Sequence, residues 1–185
     1  MTINFFNIIN NIDLTLMNVI NRPINPVINS LALLSIYLMY FVIMLVFYYL
    51  YFEKKWKLLK RYVSSAIFGF ATVYILKYLI RRPRPNIFPL VVKVDPSFPS
   101  THAFFSGFLL YVSRHEKIPS YLKIISLIFS MLIPFVKMYI GVHYPTDILV
   151  GFVLGYLFPG VFYDKIFSKT SLFELKGAIK NKQNK

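Results

Sequence analysis

Residues Val27 to Phe52 run for 26 positions without a charged side chain. About 20 apolar residues are enough to cross the hydrocarbon core of a bilayer as a helix, so this run commits the chain to a membrane. Four further runs approach that length: Tyr62 to Ile80, Thr101 to Val112, Tyr121 to Ile140, and Tyr144 to Phe167. The third is too short to cross alone and is expected to be extended by flanking polar residues or buried among the others. Composition agrees: 57% of the 185 residues are hydrophobic and 18% aromatic, and mean hydropathy is +0.58. The expectation is an all-α integral membrane bundle of about five spans, one domain over residues 1–185, with no linker or internal repeat dividing it.

Ahead of the first run, Phe5, Ile8, Ile9, Leu16 and Ile20 recur at roughly helical spacing among Asn and Asp. That pattern predicts an interfacial amphipathic helix over residues 1–22. It lacks the charged start and small-residue cleavage site of a secretory signal, so it is expected to be retained. The basic tail, residues 168–185, reads as disordered. No cysteine is present, which excludes disulfides and thiolate metal sites.

The net charge of +14 is distributed around the apolar runs instead of along one hydrophilic face, which suits anionic lipid head groups and not nucleic acid. Lys54, Lys55, Lys57, Lys60 and Arg61 follow the first run, Arg114, Lys117 and Lys123 follow the third, and Lys165, Lys169, Lys176, Lys180, Lys182 and Lys185 lie at and beyond the end of the fifth. Five spans put these three groups on one side, expected to be cytoplasmic. Arg22, Lys77, Arg81, Arg82, Arg84, Lys93 and Lys137 remain, and six of these seven fall on the opposite side, where a topology signal would not place them. An anionic ligand is the better explanation.

That side has three pieces. Arg81 to His102 carries five prolines, too many for a helix and long for an idle connection. Its end reads as a helix start that Ser100 or Thr101 can cap, with His102 in the first turn and backbone N–H groups free to take a phosphate oxygen. In the third piece Pro145 suits the first turn of a helix, and His143 lies four residues before Asp147, within reach of a carboxylate–imidazole bond. Cations, a helix N-terminus and two histidines match phosphoryl transfer through a phosphohistidine. His143 would attack phosphorus, Asp147 would fix its tautomer, and His102 would protonate the leaving oxygen and later activate water. With Asp95 and Asp147 the acids of this region, no magnesium cage is expected, and no cofactor is required.

Lys77 with Arg84-Pro85, Pro99-Ser100-Thr101-His102, and His143 with Asp147 together resemble the tripartite signature of the type 2 phosphatidic acid phosphatases. These are the lipid branch of the superfamily that includes vanadium haloperoxidases. The resemblance covers about residues 60 to 160. It implies a six-helix core, a site near the membrane surface, and metal-independent hydrolysis of lipid phosphates or diphosphates. It also implies that Lys77, Arg84, Ser100 and His102 contact the phosphate or leaving group and that His143 is the nucleophile, backed by Asp147. Thr101 and Lys137 complete the expected phosphate-binding set, although both depart from the pattern. Thr101 replaces a glycine, and Val136-Lys137 replaces Ser-Arg; Lys137 keeps the charge but not the planar two-point grip.

His115 reads as a solvated loop residue. Arg81 and Arg82 fall outside the signature spacing and are open between interfacial anchors and site residues. Among substrates, a polyprenyl diphosphate such as undecaprenyl diphosphate is expected, with phosphatidylglycerophosphate or phosphatidic acid as alternatives. A non-catalytic lipid-phosphate binder is the competing class; a transporter is disfavoured because matching half-repeats are absent. The sequence sets no oligomeric state.

Overall fold

The structure is a computed structural model and describes residues 5–20, 25–85, 87, 89–115 and 117–161. The basic tail, the end of the fifth run, Arg22, and the side chains of Phe5 and Ile8 lie outside what is described. Six helices follow in order: α1 (Phe5–Ile20), α2 (Pro26–Phe52), α3 (Trp56–Ile80), α4 (Thr101–Ser113), α5 (Ser120–Tyr139) and α6 (Pro145–Val161). There is no strand among the described residues.

Local chemistry sets the ends. Asn25 caps α2, its Oδ1 accepting from the N–H groups of Val27 (2.8 Å) and Ile28 (3.4 Å), with Pro26 at the first position. Arg81 closes α3 in a left-handed conformation (φ 52°), its N–H returning to the Lys77 carbonyl at 2.9 Å. Pro83 and Pro85 then prevent the helix from resuming.

α2, α3 and α5 are long and apolar enough to cross a membrane. α6 is described over 17 residues and α4 over only 13. The short third run is therefore the buried centre of the bundle: Ala103, Phe104, Gly107, Phe108, Leu109 and Val112 face inward around most of α4. α4 packs on α2, α3 and α5. It also meets α6 so closely that a Cβ at Gly155 would overlap the Phe104 carbonyl. One core cluster joins α2, α4 and α5 through Met39, Val42, Leu109, Ile133 and Val136; a second joins α2, α3 and α4 through Val46, Leu50, Tyr62 and Phe108. Outside this core, Phe41, Met44, Ile67, Ile75, Phe135 and Leu149 are exposed. So broad an apolar belt is stable against lipid and not against water.

Of the apolar residues that pattern α1, Ile9 and Ile20 are half-buried and Leu16 is exposed. Among the described side chains of α1, Asp13 and Met17 are the buried ones, on the same side as Ile9 and Ile20, while Ile12, Leu14 and Val19 are exposed. A carboxylate thus leads the docking of this helix, and the reason lies in the site.

Candidate active site

Five helix ends converge at one end of the bundle. The Tyr139 hydroxyl donates to Asn29 Oδ1 at 2.7 Å, placing the start of α2 beside the end of α5. The Ser100 N–H donates to the Asp147 carbonyl at 3.0 Å, placing the start of α4 beside the start of α6. Lys77 and Lys137 occupy the last turns of α3 and α5. There they offset the partial negative charge of the carbonyl ends, while the N–H ends of α4 and α6 add positive potential.

The loop between α3 and α4 is pinned by its own polar groups. The Ser97 N–H donates to the Arg82 carbonyl (2.8 Å) and its hydroxyl to the Pro83 carbonyl (3.0 Å). Leu90 N–H reaches the Ile140 carbonyl at 3.0 Å. Within this frame Arg84 donates through Nε to the Asp95 carbonyl (2.8 Å), through Nη2 to Asp95 Oδ2 (2.8 Å), and through Nη1 to the Val142 carbonyl (2.6 Å). Lys77, 2% exposed, donates to the Pro96 carbonyl at 2.6 Å and lies 3.5 Å from Asp95 Oδ2. Burial would raise the Asp95 carboxyl, but Arg84 and Lys77 outweigh it and hold the group below its ordinary value.

His143 sits in the turn from α5 to α6, just after Gly141, whose φ of 73° lets the chain reverse there. The imidazole is 2% exposed, with Nε2 3.3 Å from Arg84 Nη1. A guanidinium only donates, so Nε2 carries the lone pair and the proton belongs on Nδ1. Nδ1 points to Asp147 Oδ2 at 3.6 Å, in line with the expected pairing. That is an ion-pair distance and not a hydrogen bond, and Nδ1 has no hydrogen-bond partner. Burial first, then the positive charges of Arg84, Lys77, Lys137 and Lys93, push the His143 pKa well below the ordinary imidazole value. The ring is therefore neutral at pH 7 and ringed by cations.

The remaining residues take their places around this ring. Ser100, fully buried, supplies the α4 cap, its Oγ accepting from the Ala103 N–H at 3.4 Å. Thr101 opens α4 and His102 follows, half-buried, its ring edge-on to Tyr40 with centroids 5.7 Å apart. Lys137 is 1% exposed, and its side chain makes no hydrogen bond or ion pair among the described residues. His115 is half-buried against the Tyr62 ring at the far end of the bundle, so it is not simply a solvated loop residue. Among the described residues no three His, Asp or Glu side chains are grouped as metal ligands.

Sequence reasoning left Arg82 open and passed over Asp13. Arg82 Nη1 donates to Asp147 Oδ1 at 2.8 Å and Nη2 to Asp13 Oδ2 at 2.6 Å. The region therefore holds a third carboxylate besides Asp95 and Asp147. A signal was present: Asp13 is the only acid before Glu53, and a lone carboxylate in an apolar stretch calls for a partner.

The chain is similar to phosphatidylglycerophosphatase B of Bacillus subtilis, 36% identical over 95 residues, or 45% of each chain. It is also similar to an undecaprenyl-diphosphatase of Sulfolobus acidocaldarius, 27% identical over 103 residues, 50% of this chain and 48% of that one. The matched region thus spans about half the length of these curated relatives. The fold matches the crystal structure of a transmembrane PAP2-type phosphatidylglycerolphosphate phosphatase from Bacillus subtilis with a TM-score of 0.71 at 22% identity, covering 89% of this chain and 88% of that one. The family described as PAP2 superfamily matches residues 58–171, more than half the chain, and with the three motifs gathered at one end of the bundle this chain belongs to that superfamily.

Proposed function

We propose that this chain hydrolyses the phosphate of a membrane lipid through a phosphohistidine on His143. One observation carries the reading: a buried, neutral imidazole has its lone pair directed at Arg84 and its N–H turned to Asp147. Substrate phosphate takes the place of Nε2 as a partner of Arg84, which frees the lone pair for attack. The Nε2–P bond forms as the bond to the leaving oxygen breaks, and His102 gives that oxygen its proton. Asp147 meets the positive charge that appears on the imidazole. Water then attacks phosphorus, His102 takes its proton, and the N–P bond breaks to release phosphate. Lys77, Arg84 and Lys137, with the N–H groups of Thr101 and His102 in the turn that Ser100 caps, hold the three equatorial oxygens on which charge accumulates.

Replacing His143 with Ala is expected to lower turnover at least ~1,000-fold while the protein stays folded in the membrane. Near-parental phosphate release in that variant would sink the mechanism, and absence of release by the parent would favour a non-catalytic binder.

The proposed substrate is a polyprenyl diphosphate such as undecaprenyl diphosphate, as the name of the Sulfolobus relative suggests. Phosphatidylglycerophosphate is the second reading, favoured by the higher identity to the Bacillus protein of that name. A panel of both lipid classes and phosphatidic acid in detergent ranks them by kcat/KM.

The reading includes one membrane domain over residues 1–185, with the site on the non-cytoplasmic face and the tail in the cytoplasm. Val94 is fully exposed beside the site, and the chain has no cysteine of its own. A cysteine at Val94 is expected to react with an impermeant reagent from outside intact cells. Labelling only after access from the cytoplasm would reverse the orientation.

A further inference from the structure

Arg82 makes four side-chain hydrogen bonds at the site end, and the reaction sequence above assigns it no step. Its Nη1 donates to both Asp147 Oδ1 (2.8 Å) and Thr146 Oγ1 (2.7 Å). Its Nη2 donates to both Asp13 Oδ2 (2.6 Å) and Asn10 Oδ1 (3.0 Å). The guanidinium lies over the Tyr144 ring, 4.0 Å from its centroid. Asp13 in turn accepts from the Thr146 N–H (3.1 Å) and hydroxyl (2.6 Å) in the first turn of α6. Both carboxylates are fully buried, and the Arg82 side chain is 17% exposed. A buried carboxylate–guanidinium–carboxylate bridge thus links α1, the α3–α4 loop and α6 across 134 residues of chain, from Asp13 to Asp147.

We propose that this bridge is a positioning clamp on Asp147 and that α1, through Asp13, is part of the catalytic assembly. The proposal rests on His143 acting as the nucleophile with Asp147 behind it. When the Nε2–P bond forms, the imidazole becomes cationic, and its Nδ1–H must close from 3.6 Å to hydrogen-bond distance of Asp147 Oδ2. A carboxylate free to turn about its Cβ–Cγ bond would offer that oxygen only part of the time. Arg82 on Oδ1 and the Tyr144 N–H on Oδ2 (3.0 Å) fix the plane of the group, and Asp13 fixes Arg82. A planar fork can bind two carboxylates at once with both hands in place, which an ammonium cannot do with the same geometry. Asp13 and Arg82 touch neither phosphate nor imidazole in this arrangement; they act through Asp147.

The test uses the full chain in detergent with the best lipid phosphate of the panel. Arg82→Gln is expected to lower kcat about 100-fold and Asp13→Asn about 10-fold, with KM within about threefold of the parent in both, the scale of misplacing a reacting group. Because the two act in series, the double variant should be no slower than Arg82→Gln alone. Arg81→Gln, next in the chain but outside the bridge, should match the parent. Parental kcat in Arg82→Gln or Asp13→Asn overturns the clamp. So does a loss that appears as raised KM, or losses that multiply in the double variant, as two independent packing defects would. If Arg82→Gln fails to fold, the kcat-against-KM split of the near-isosteric Asp13→Asn decides alone. His143→Ala and Asp147→Asn separate the two levels of the reading. Activity in those variants defeats the phosphohistidine reading, whereas their inactivity beside a fully active Arg82→Gln defeats only the clamp.

Discussion

The two ends of the bundle are both rich in Lys and Arg, yet they use these residues differently. At the α2–α3 turn, Lys54, Lys57 and Lys60 are exposed. Lys55 donates to the Lys117 carbonyl (2.9 Å) and the Tyr49 hydroxyl (2.6 Å), and Arg114 to the Tyr156 hydroxyl (3.0 Å). These are snorkelling contacts, with aliphatic stems along the bundle and charged heads at the membrane edge. At the other end Lys77 and Lys137 are buried, and Arg82 and Arg84 are locked against carboxylates and carbonyls. Burying cations is costly unless something anionic compensates. Three carboxylates are shared among Lys77, Arg82 and Arg84, and Lys137 has none among the described residues. The surplus charge is what a phosphate would neutralise.

The comparison is broken most severely at Lys137. Lys137→Ala is expected to lose about 100-fold in turnover, the scale of removing one preorganised group from a transition-state charge. Lys137→Arg should keep activity and tighten inhibition by vanadate several-fold, about 1 kcal/mol, because a guanidinium grips two oxygens in one plane. Parental turnover in Lys137→Ala would make this buried lysine equivalent to the exposed ones at the far end.

Arg84→Gln should move the acid limb of kcat/KM. The neutral imidazole is the competent form, and it is lost as pH falls through the His143 pKa, which lies below the ordinary value of about 6.5. Arg84 is the largest charge cause of that depression. Removing it lets the pKa rise, so the limb should shift to higher pH along with a fall in rate. An unmoved limb would mean that His143 is not the group being titrated.

The smallest effect is expected at the far end. Neutralising Lys57 and Lys60 together should leave kcat and KM within about twofold, as exposed charges contribute little individually. A large loss there would show that the two ends are not functionally distinct.

What was legible in the sequence divides along the same line. Apolar runs declare themselves because lipid leaves a spanning segment no alternative to a helix, so α2, α3 and α5 lie close to where hydropathy places them. Lys77, Arg84, Ser100, His143 and Asp147 were legible because short spacings near helix ends carry their geometry. The length of α4 left two alternatives, extension through flanking polar residues or burial among the other helices, and the structure has the second. The docking of α1 through Asp13 was not legible. Apolar periodicity registers apolar side chains alone, whereas here a carboxylate faces a buried guanidinium. The partnership of Asp13 with Arg82 spans 69 positions of chain, and no local pattern encodes it. The 3.6 Å gap between His143 and Asp147 was equally out of reach, because spacing tells that two groups meet but not how closely.

The shortness of α4 also has a consequence for where the site lies. Thirteen residues rise about 20 Å, against about 40 Å for the 27 of α2 and a hydrocarbon core of about 30 Å. The chain just past its C-terminal end lies level with the α2–α3 turn, where Lys55 bonds the Lys117 carbonyl, so the whole deficit falls at the Ser100 end. Beyond Ser100 the chain continues as non-helical loop, so the first turn of α4 lies level with the middle of α2, where the His102 ring meets Tyr40. On the reading proposed above, a lipid head group meets the cations at that level and not at the end of α2. One short helix thereby sets how far along α2 the site lies.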